Sequence, residues 1–266
     1  LLDSHNIRFT LPIWRVLYDV LPTSATQNIV VLELRDKTNV EWCALHVETG
    51  EISWQHAFIE TDWWTGLIGF YAGKLLLHAY TGSEQPAPKQ LLVVDALSGN
   101  MSWTLAGCKF EGTDGLTIQT SRANPEQPLI LEHWSIANGN PAGASFLQPI
   151  QESTFWKFPI SHEESSPYYS VIRQFIQKIT NKIPQKAINY GEIAGHLLFF
   201  NYLYPANAIT LSRSILVVNS TKTVLLNEPI DSDKDSAVFD ECFYSEHHII
   251  YLKKLDELVV IKLPRP

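Results

Sequence analysis

The chain has 266 residues, 45% of them hydrophobic and 11% aromatic, which is enough to bury a large core and too apolar for a disordered protein. Lys and Arg number 20 against 28 Asp and Glu, a net charge of −8; nucleic acid, which requires a basic surface, is not an expected partner. The longest apolar runs, such as Ile29-Val30-Val31-Leu32 and Leu197-Leu198-Phe199-Phe200, are far too short to cross a bilayer, so no transmembrane segment is expected.

Ile7 to Leu11 is a lone strand-like run at the start. Ile13 to Val20 and Asn28 to Arg35 follow as two longer runs. Ala44-Leu45-His46-Val47-Glu48-Thr49-Gly50-Glu51-Ile52-Ser53-Trp54 is then echoed by Val93-Val94-Asp95-Ala96-Leu97-Ser98-Gly99-Asn100-Met101-Ser102-Trp103, with an offset of 49 residues both from Gly50 to Gly99 and from Trp54 to Trp103. A period near 50 built from short apolar runs predicts a repeat architecture such as a β-propeller. In each copy an apolar strand enters a tight turn, glycine supplies a positive φ, and a second strand carries the Trp. Gly66 to Ala72 and Gly73 to Tyr80, joined through Tyr71-Ala72-Gly73-Lys74, complete the second copy, so each copy reads as a four-stranded antiparallel blade.

Later copies are degraded. Leu129 to Ser135 followed by Ala137-Asn138-Gly139-Asn140 reads as a third copy without its Trp. His196 to Tyr204, Ala208 to Asn219 and Thr223 to Asn227 make a fourth. Ala237 to Ser245, His247 to Leu252 and Glu257 to Leu263 give three strands, and Ile7 to Leu11 supplies the fourth by pairing into this last blade, which hides an exposed edge and closes the ring. The expected fold is therefore all-β, one propeller domain of about five blades, or six. The blades fall at roughly 13–55, 66–106, 115–158, 187–228, and 237–263 with 7–11. One segment departs from it. Pro167 to Ile183 has Val171, Ile172, Phe175, Ile176, Ile179 and Ile183 at helical spacing. Ser166 is placed to cap it, Pro167 to fit its first turn and Pro184 to stop it. It reads as a surface helix inserted between blades, or as a lid or docking helix.

The turn-and-Trp unit resembles the repeat of quinoprotein-type propellers, Leu-Asp-x-x-Thr/Ser-Gly-x-x-x-Trp. Val94-Asp95-Ala96-Leu97-Ser98-Gly99 to Trp103 matches it closely, and His46 replaces the Asp in the first copy. The order Ile13-Trp14-Arg15, Thr49-Gly50 to Trp54, Trp63-Trp64-x-Gly66, Leu77-His78-x-Tyr80 and Ser98-Gly99 to Trp103 resembles an uncharacterised bacterial family, a domain of unknown function, over roughly the first 110 residues. Quinoprotein enzymes have eight blades, a calcium-held pyrroloquinoline quinone and commonly a vicinal Cys pair. This chain is too short for eight blades, has no adjacent cysteines and matches no such calcium site. The repeat is also similar to that of cofactor-free scaffold propellers of bacterial envelope assembly. The resemblance thus implies a fold and no activity, and neither cofactor nor metal is expected.

Chemistry-bearing motifs are sparse. Asp231-Ser232-Asp233-Lys234-Asp235 resembles the start of a calcium loop, but the sixth and twelfth positions are Ser236 and Cys242 where Gly and Glu are needed. His247 and His248 are adjacent in a strand and point to opposite faces. His46, His56 and Cys43 include zinc-ligand types without a zinc spacing. No Gly-x-Ser-x-Gly elbow, phosphate loop or nucleophile-like cysteine occurs. Cys43, Cys108 and Cys242 are isolated and odd in number, which favours a reducing compartment such as the cytoplasm; a start at Leu1 is compatible with a removed targeting segment. The richest spot is His56 to Gly66, with Glu60, Asp62, Trp63 and Trp64. As a connection between blades it would line one mouth of the ring, beside Thr81 to Lys89, Gly107 to Asp114 and Pro205 to Ala208. There it would hold a sugar, an aromatic ligand or a peptide, unless its Trp rings pack between blades. The expected function is a non-enzymatic binding or scaffold module using that mouth, for a protein partner or small ligand. The alternative is a small molecule in the central channel, an enzyme substrate or a bound ligand, with Arg15 and His78 as the polar groups.

Overall fold

The computed structural model describes residues 2–58, 61–82, 86–122, 130–143, 147–150, 154–203, 212–230, 242–245 and 247–264. Among the described residues the fold is all-β with one helix, and its antiparallel sheets fall into two compact units. Strand β1 (Asp3–Arg8) belongs to the unit made by Leu1–Thr10 and Phe155–Pro266.

The other unit, Leu11–Thr154, holds three sheets in chain order. The first contains β2 (Ile13–Tyr18), β3 (Ile29–Arg35), β4 (Val40–His46) and β5 (Glu51–His56), ordered β2-β3-β4-β5. The second contains β6 (Thr65–Tyr71), β7 (Lys74–Tyr80), β8 (Pro88–Asp95) and β9 (Met101–Ala106), ordered β6-β7-β8-β9. The third is β10 (Lys109–Thr113), β11 (Thr117–Arg122) and β12 (Ile130–Ser135). Side chains alternate between the two faces of a strand, and both faces of β7 and β8 are covered, so their central residues, Leu75 to Leu77 and Leu91 to Val94, are all apolar and buried. Leu75, Leu77, Leu92 and Val94 of the second sheet pack on Val31, Trp42 and Ala44 of the first. Leu76, Leu91 and Val93, on the opposite face, pack on Ile118 and Ile136 of the third.

The repeat is visible in the backbone. Gly50, Gly99 and Gly139 have φ of 69°, 69° and 70°. Their amides donate to the carbonyls of His46, Asp95 and Ser135 at 2.9, 2.8 and 2.9 Å. Each Trp is anchored on the next turn. Trp54 Nε1 donates to Ala96 O at 2.8 Å, and Trp103 Nε1 donates to Ile136 O at 3.0 Å. The rings lie so close over the glycines that a Cβ at Gly99 or Gly139 would come within 2.7 Å of ring carbon. Trp54 is buried; Trp103 is only half-buried. In the third copy Gly143 stands where the Trp would fall.

The unit containing the C-terminus has two sheets. The first is ordered β13-β14-β15-β16-β17, from β13 (Ile160–His162), β14 (Pro184–Ile193), β15 (His196–Leu203), β16 (Ser212–Val218) and β17 (Val224–Ile230). The second is ordered β1-β20-β19-β18, from β18 (Cys242–Tyr244), β19 (His248–Lys254) and β20 (Glu257–Lys262). Leu198, Ile215 and Val217 pack against Ile249, Tyr251 and Val259 of the last sheet. Phe199, Leu216 and Val218, facing the other way, are covered by helix α1 (Tyr169–Thr180).

Several boundaries differ from the sequence reading. The first strand lies at Asp3–Arg8, upstream of Ile7 to Leu11, and pairs with β20 from Asp3↔Lys262 to Arg8↔Glu257. The third sheet starts at β10, ahead of residue 115, because Lys109-Phe-Glu-Gly-Thr is polar and bulged at Phe110/Gly112. It has three strands; past β12 the described residues add only an isolated bridge, Trp134↔Pro141. The helix is shorter than 167–183. Its N-cap is Tyr168, without a side-chain cap, and it ends at Asn181 with φ 56°. Ile176 is buried and Ile172, Phe175 and Ile179 pack on the sheet, whereas Val171 and Ile183 are exposed. Pro184 opens β14, a strand hidden in the sequence by mixed polarity and a bulge between Gln185 and Ile188.

Replacing Trp54 with Ala should cost about 3–5 kcal/mol by urea unfolding, and the half-buried Trp103 less. Equal, negligible effects would mean that the rings do not hold the sheets. Removing residues 1–8 should strip the edge of β20 and the Arg8–Glu257 bond (3.0 Å), lowering stability by several kcal/mol in the same assay.

Candidate functional site

Two charged residues interrupt the apolar strand β3, Glu33 (1% exposed) and Arg35 (8%). They pair with each other, and together they hold the start of the second sheet. Arg35 Nη1 donates to Trp63 O at 2.6 Å and Nη2 to Thr65 O, while its Nε bonds Glu33. The second Glu33 oxygen accepts from Leu67 N at 2.6 Å. Buried charges persist only when paired and hydrogen-bonded, and this pair is both. Arg15 on β2 adds a bond from Nη1 to Leu67 O at 2.6 Å.

The loop so held carries the aromatic pair. The Arg35 guanidinium lies 5.2 Å from the Trp63 ring centroid, a cation–π contact. Trp63 Nε1 donates to Asp36 O at 2.7 Å. Trp63 and Trp64 meet edge to face at 5.2 Å. Asp62 Oδ1 accepts from Trp64 N at 2.9 Å, and Tyr80 N donates to Trp64 O at 3.2 Å. Trp63 is therefore half-buried and committed to structure. Trp64, 36% exposed, presents its ring beside the exposed carboxylate of Asp62 on a backbone that cannot swing freely.

The sequence candidates separate into two places. Asp62, Trp63 and Trp64 share the loop, and Arg15 braces it from the neighbouring sheet. His78 lies elsewhere, on β7 between β6 and β8, 3% exposed. Its ring nitrogens meet Tyr80 OH at 3.0 Å and Cys108 O at 3.1 Å. Burial pulls its pKa down. Of the other candidates, His56 bonds Gly99 O at 3.1 Å, and His46 and His56 sit at opposite ends of the β4–β5 hairpin. Glu60, the stretch 205–208 and the acidic loop at 231–235 lie outside the described residues. Among the described residues no three His, Cys, Asp or Glu are grouped to hold a metal. All three cysteines are buried free thiols; burial pushes Cys43 up to about 12 and raises Cys108 and Cys242. They are protonated at neutral pH and poor nucleophiles.

Sequence reasoning missed Glu33, Arg35 and Asp36. The available signal was a Glu-x-Arg pair inside an otherwise apolar strand, a pattern that demands a buried partner. Trp14, 45% exposed beside Arg15, was also overlooked as a surface aromatic.

Among the described residues the fold is all-β, made of antiparallel sheets, with a Trp loop braced by Arg35, and no described helix is long and apolar enough to cross a membrane. Residues 23–103 match the model of a domain of unknown function, DUF4905. No curated protein matches the chain. Among solved structures, the beta-propeller domain of Cps50 (Swd1) from Myceliophteria thermophila aligns over 98% of both chains at 6% identity and TM-score 0.37. An uncharacterised protein from Listeria monocytogenes EGD-e covers 94% of this chain and 83% of its own at 8% identity and TM-score 0.34. A DUF4221 family member from Bacteroides vulgatus covers 98% of both at 8% identity and TM-score 0.25.

Asp36 ties acidity to this loop. Its carboxylate accepts from Thr38 N and Asn39 N, both at 2.7 Å, and from the Asn39 side chain, which hold its pKa at about 2. A depressed carboxyl stabilises the fold above its unfolded value and loses that contribution as pH falls through about 2. Because the Asp36 carbonyl anchors Trp63, acidification should shift Trp emission with a component near that pH that Asp36→Asn lacks. Superimposable curves would break the link. Glu33→Ala should cost about 3–5 kcal/mol by leaving Arg35 buried and unpaired.

Proposed function

We propose that the chain is a five-bladed β-propeller, closed by β1, that acts as a non-enzymatic binding module through the mouth bearing Asp62 and Trp64. Support for the ring comes from five successive antiparallel sheets, the repeated glycine turns, and a first strand paired beside the last. The observation that carries the binding reading is the exposed Trp64 ring on a loop held by Arg35, next in sequence but one to the exposed carboxylate of Asp62, one oxygen of which accepts from Trp64 N. Rigid scaffolds concentrate recognition in such loops, and a pre-organised aromatic loses little entropy on binding. The pair suits a ligand with one apolar face and hydroxyl or amine donors, either a sugar or a peptide side chain. The alternative, a small molecule in the channel held by Arg15 and His78, is weakened by the burial of His78 and the engagement of both its nitrogens.

The test is Trp fluorescence of the full chain against sugars, peptides and amines. A ligand should quench the wild type and bind at least about tenfold more weakly to Trp64→Ala and Asp62→Asn, a loss of about 1.4 kcal/mol. Unchanged affinity in both variants would reject this surface. Pyrroloquinoline quinone with calcium should show no saturable binding; micromolar binding would overturn the cofactor-free reading.

A further inference from the structure

Helix α1 and the start of β14 reverse the charge of the chain. Between Pro167 and Gly191 stand Arg173, Lys178, Lys182 and Lys186 and not one Asp or Glu, in a protein whose net charge is −8. The fold turns that run into a surface. Tyr169, Ile172, Phe175, Ile176 and Ile179 pack on the sheet, which leaves another flank of the helix outward. Along that flank Tyr168, Val171, Gln174 and Lys178 follow one another at intervals of three or four residues, and all four are exposed. Lys182 continues past the C-cap, and Lys186 stands exposed at φ 56° in the bulge near the start of β14. Each lysine is four residues from the next, so neighbouring Cα atoms lie within about 14 Å. The helix is tied down: Tyr169 Oη and Arg173 Nε donate to Pro184 O at 3.5 and 3.3 Å, and the Asn181 amide to Gln177 O at 2.9 Å.

Among the described residues none of these three lysines has an ion-pair partner. Lys178, in the last helical turn, also complements the helix dipole; Lys182 and Lys186 lie beyond the helix and have no such role. The nearest acids of the segment, Glu163 and Glu164, precede the N-cap, and Lys178 is about 15 Å along the axis from Tyr168. Clustered, unneutralised cations call for an anionic surface. Its kind follows from what the flank offers. An apolar groove on a partner would need the apolar face of α1, which the sheet already covers. Protein interfaces favour Arg and deplete Lys, and the one arginine of this run already bonds Pro184 O. A layer of lipid headgroups needs neither. Ammonium groups respond to its diffuse negative potential, and Tyr168 (64% exposed) and Val171 (66%) supply the amphipathic ring and the aliphatic group that settle at the headgroup boundary.

We propose that the outward flank of α1 is a peripheral docking surface for an anionic bilayer, with Lys178, Lys182 and Lys186 on the headgroup charges and Tyr168 and Val171 at the headgroup boundary. It shares no residue with the Trp64 loop, so Trp64→Ala leaves it intact and the two readings fail independently. The experiment is flotation of the full chain with phosphatidylcholine vesicles containing about one third phosphatidylserine, against phosphatidylcholine alone, at about 0.1 M and about 1 M salt. The chain should float with the anionic vesicles at the lower salt, and neither with the neutral vesicles nor at the higher salt. Replacing the three lysines with Gln should weaken binding about a hundredfold, about fivefold for each charge, while circular dichroism stays that of the wild type. Replacing them with Arg should preserve binding, and Lys182→Gln alone, beyond the helix, should still lose about fivefold if the triple Gln variant misfolds. Val171→Ser should weaken binding without changing its salt dependence. No flotation at the lower salt, equal flotation with neutral vesicles, or Gln variants that bind like the wild type would overturn the proposal. So would capture of the chain by polyglutamate when no vesicle binds it, which would assign the flank to an acidic protein instead.

Discussion

The packing of a Trp ring over the glycine turn of the next sheet is the contact on which the N-terminal half depends. Trp54 covers Gly99 and Trp103 covers Gly139, each donating its indole N–H to the carbonyl three residues before the glycine. Three requirements meet in that contact. The turn needs positive φ, which glycine adopts without strain. The ring needs a surface with no Cβ, which the same glycine provides. The buried indole N–H needs an acceptor, and the turn presents one. The contact therefore couples a local backbone choice to the stacking of whole sheets.

A second constraint works beside it at the level of charge. Glu33 and Arg35 lie in a strand whose other side chains are apolar, and their hydrogen bonds run to the backbone of residues 63–67. Asp19, fully buried, does the same at the other end of β2. It accepts from Leu21 N, Thr26 Oγ1, Ala72 N and Gly73 N at 2.7–3.0 Å. Carboxylates with several donors of this kind fix relative position where apolar packing alone permits sliding. The loop fixed by Arg35 is the one that exposes Trp64.

The sequence was legible where the repeat is strong. The two Trp-bearing hairpins, the Tyr71-Ala72-Gly73-Lys74 turn and the strand runs of β3 and β7 follow from apolar pattern and turn chemistry, and the structure has β3 and β7 with one boundary displaced by a residue, whereas β4 and β8 begin three or four residues before the apolar runs that mark them. Even the degraded third copy keeps its turn at Gly139. Strands β10 and β14 were illegible because their bulges break the alternation and their exposed faces are polar. The loop of Asp62, Trp63 and Trp64 was legible as an aromatic cluster, but its brace was not. Glu33 and Arg35 reach across sheets, and no local pattern says which backbone a buried charge will find.

The measurement that tests the interlock most directly is a double-mutant cycle on Trp54→Ala and Gly99→Ala in the full chain, read as unfolding free energies. Gly99→Ala alone carries a left-handed backbone penalty of about 1–2 kcal/mol and a further cost from the clash with the ring. Once Trp54 is removed its clash is gone, leaving the backbone penalty and the contact with His56 Cε1, which a Cβ at Gly99 would approach to 2.9 Å. The account predicts that the double mutant is more stable than the sum of the single effects implies, by about 1 kcal/mol or more. Strict additivity would show that ring and turn act independently, and would contradict the claim that this contact ties one sheet to the next.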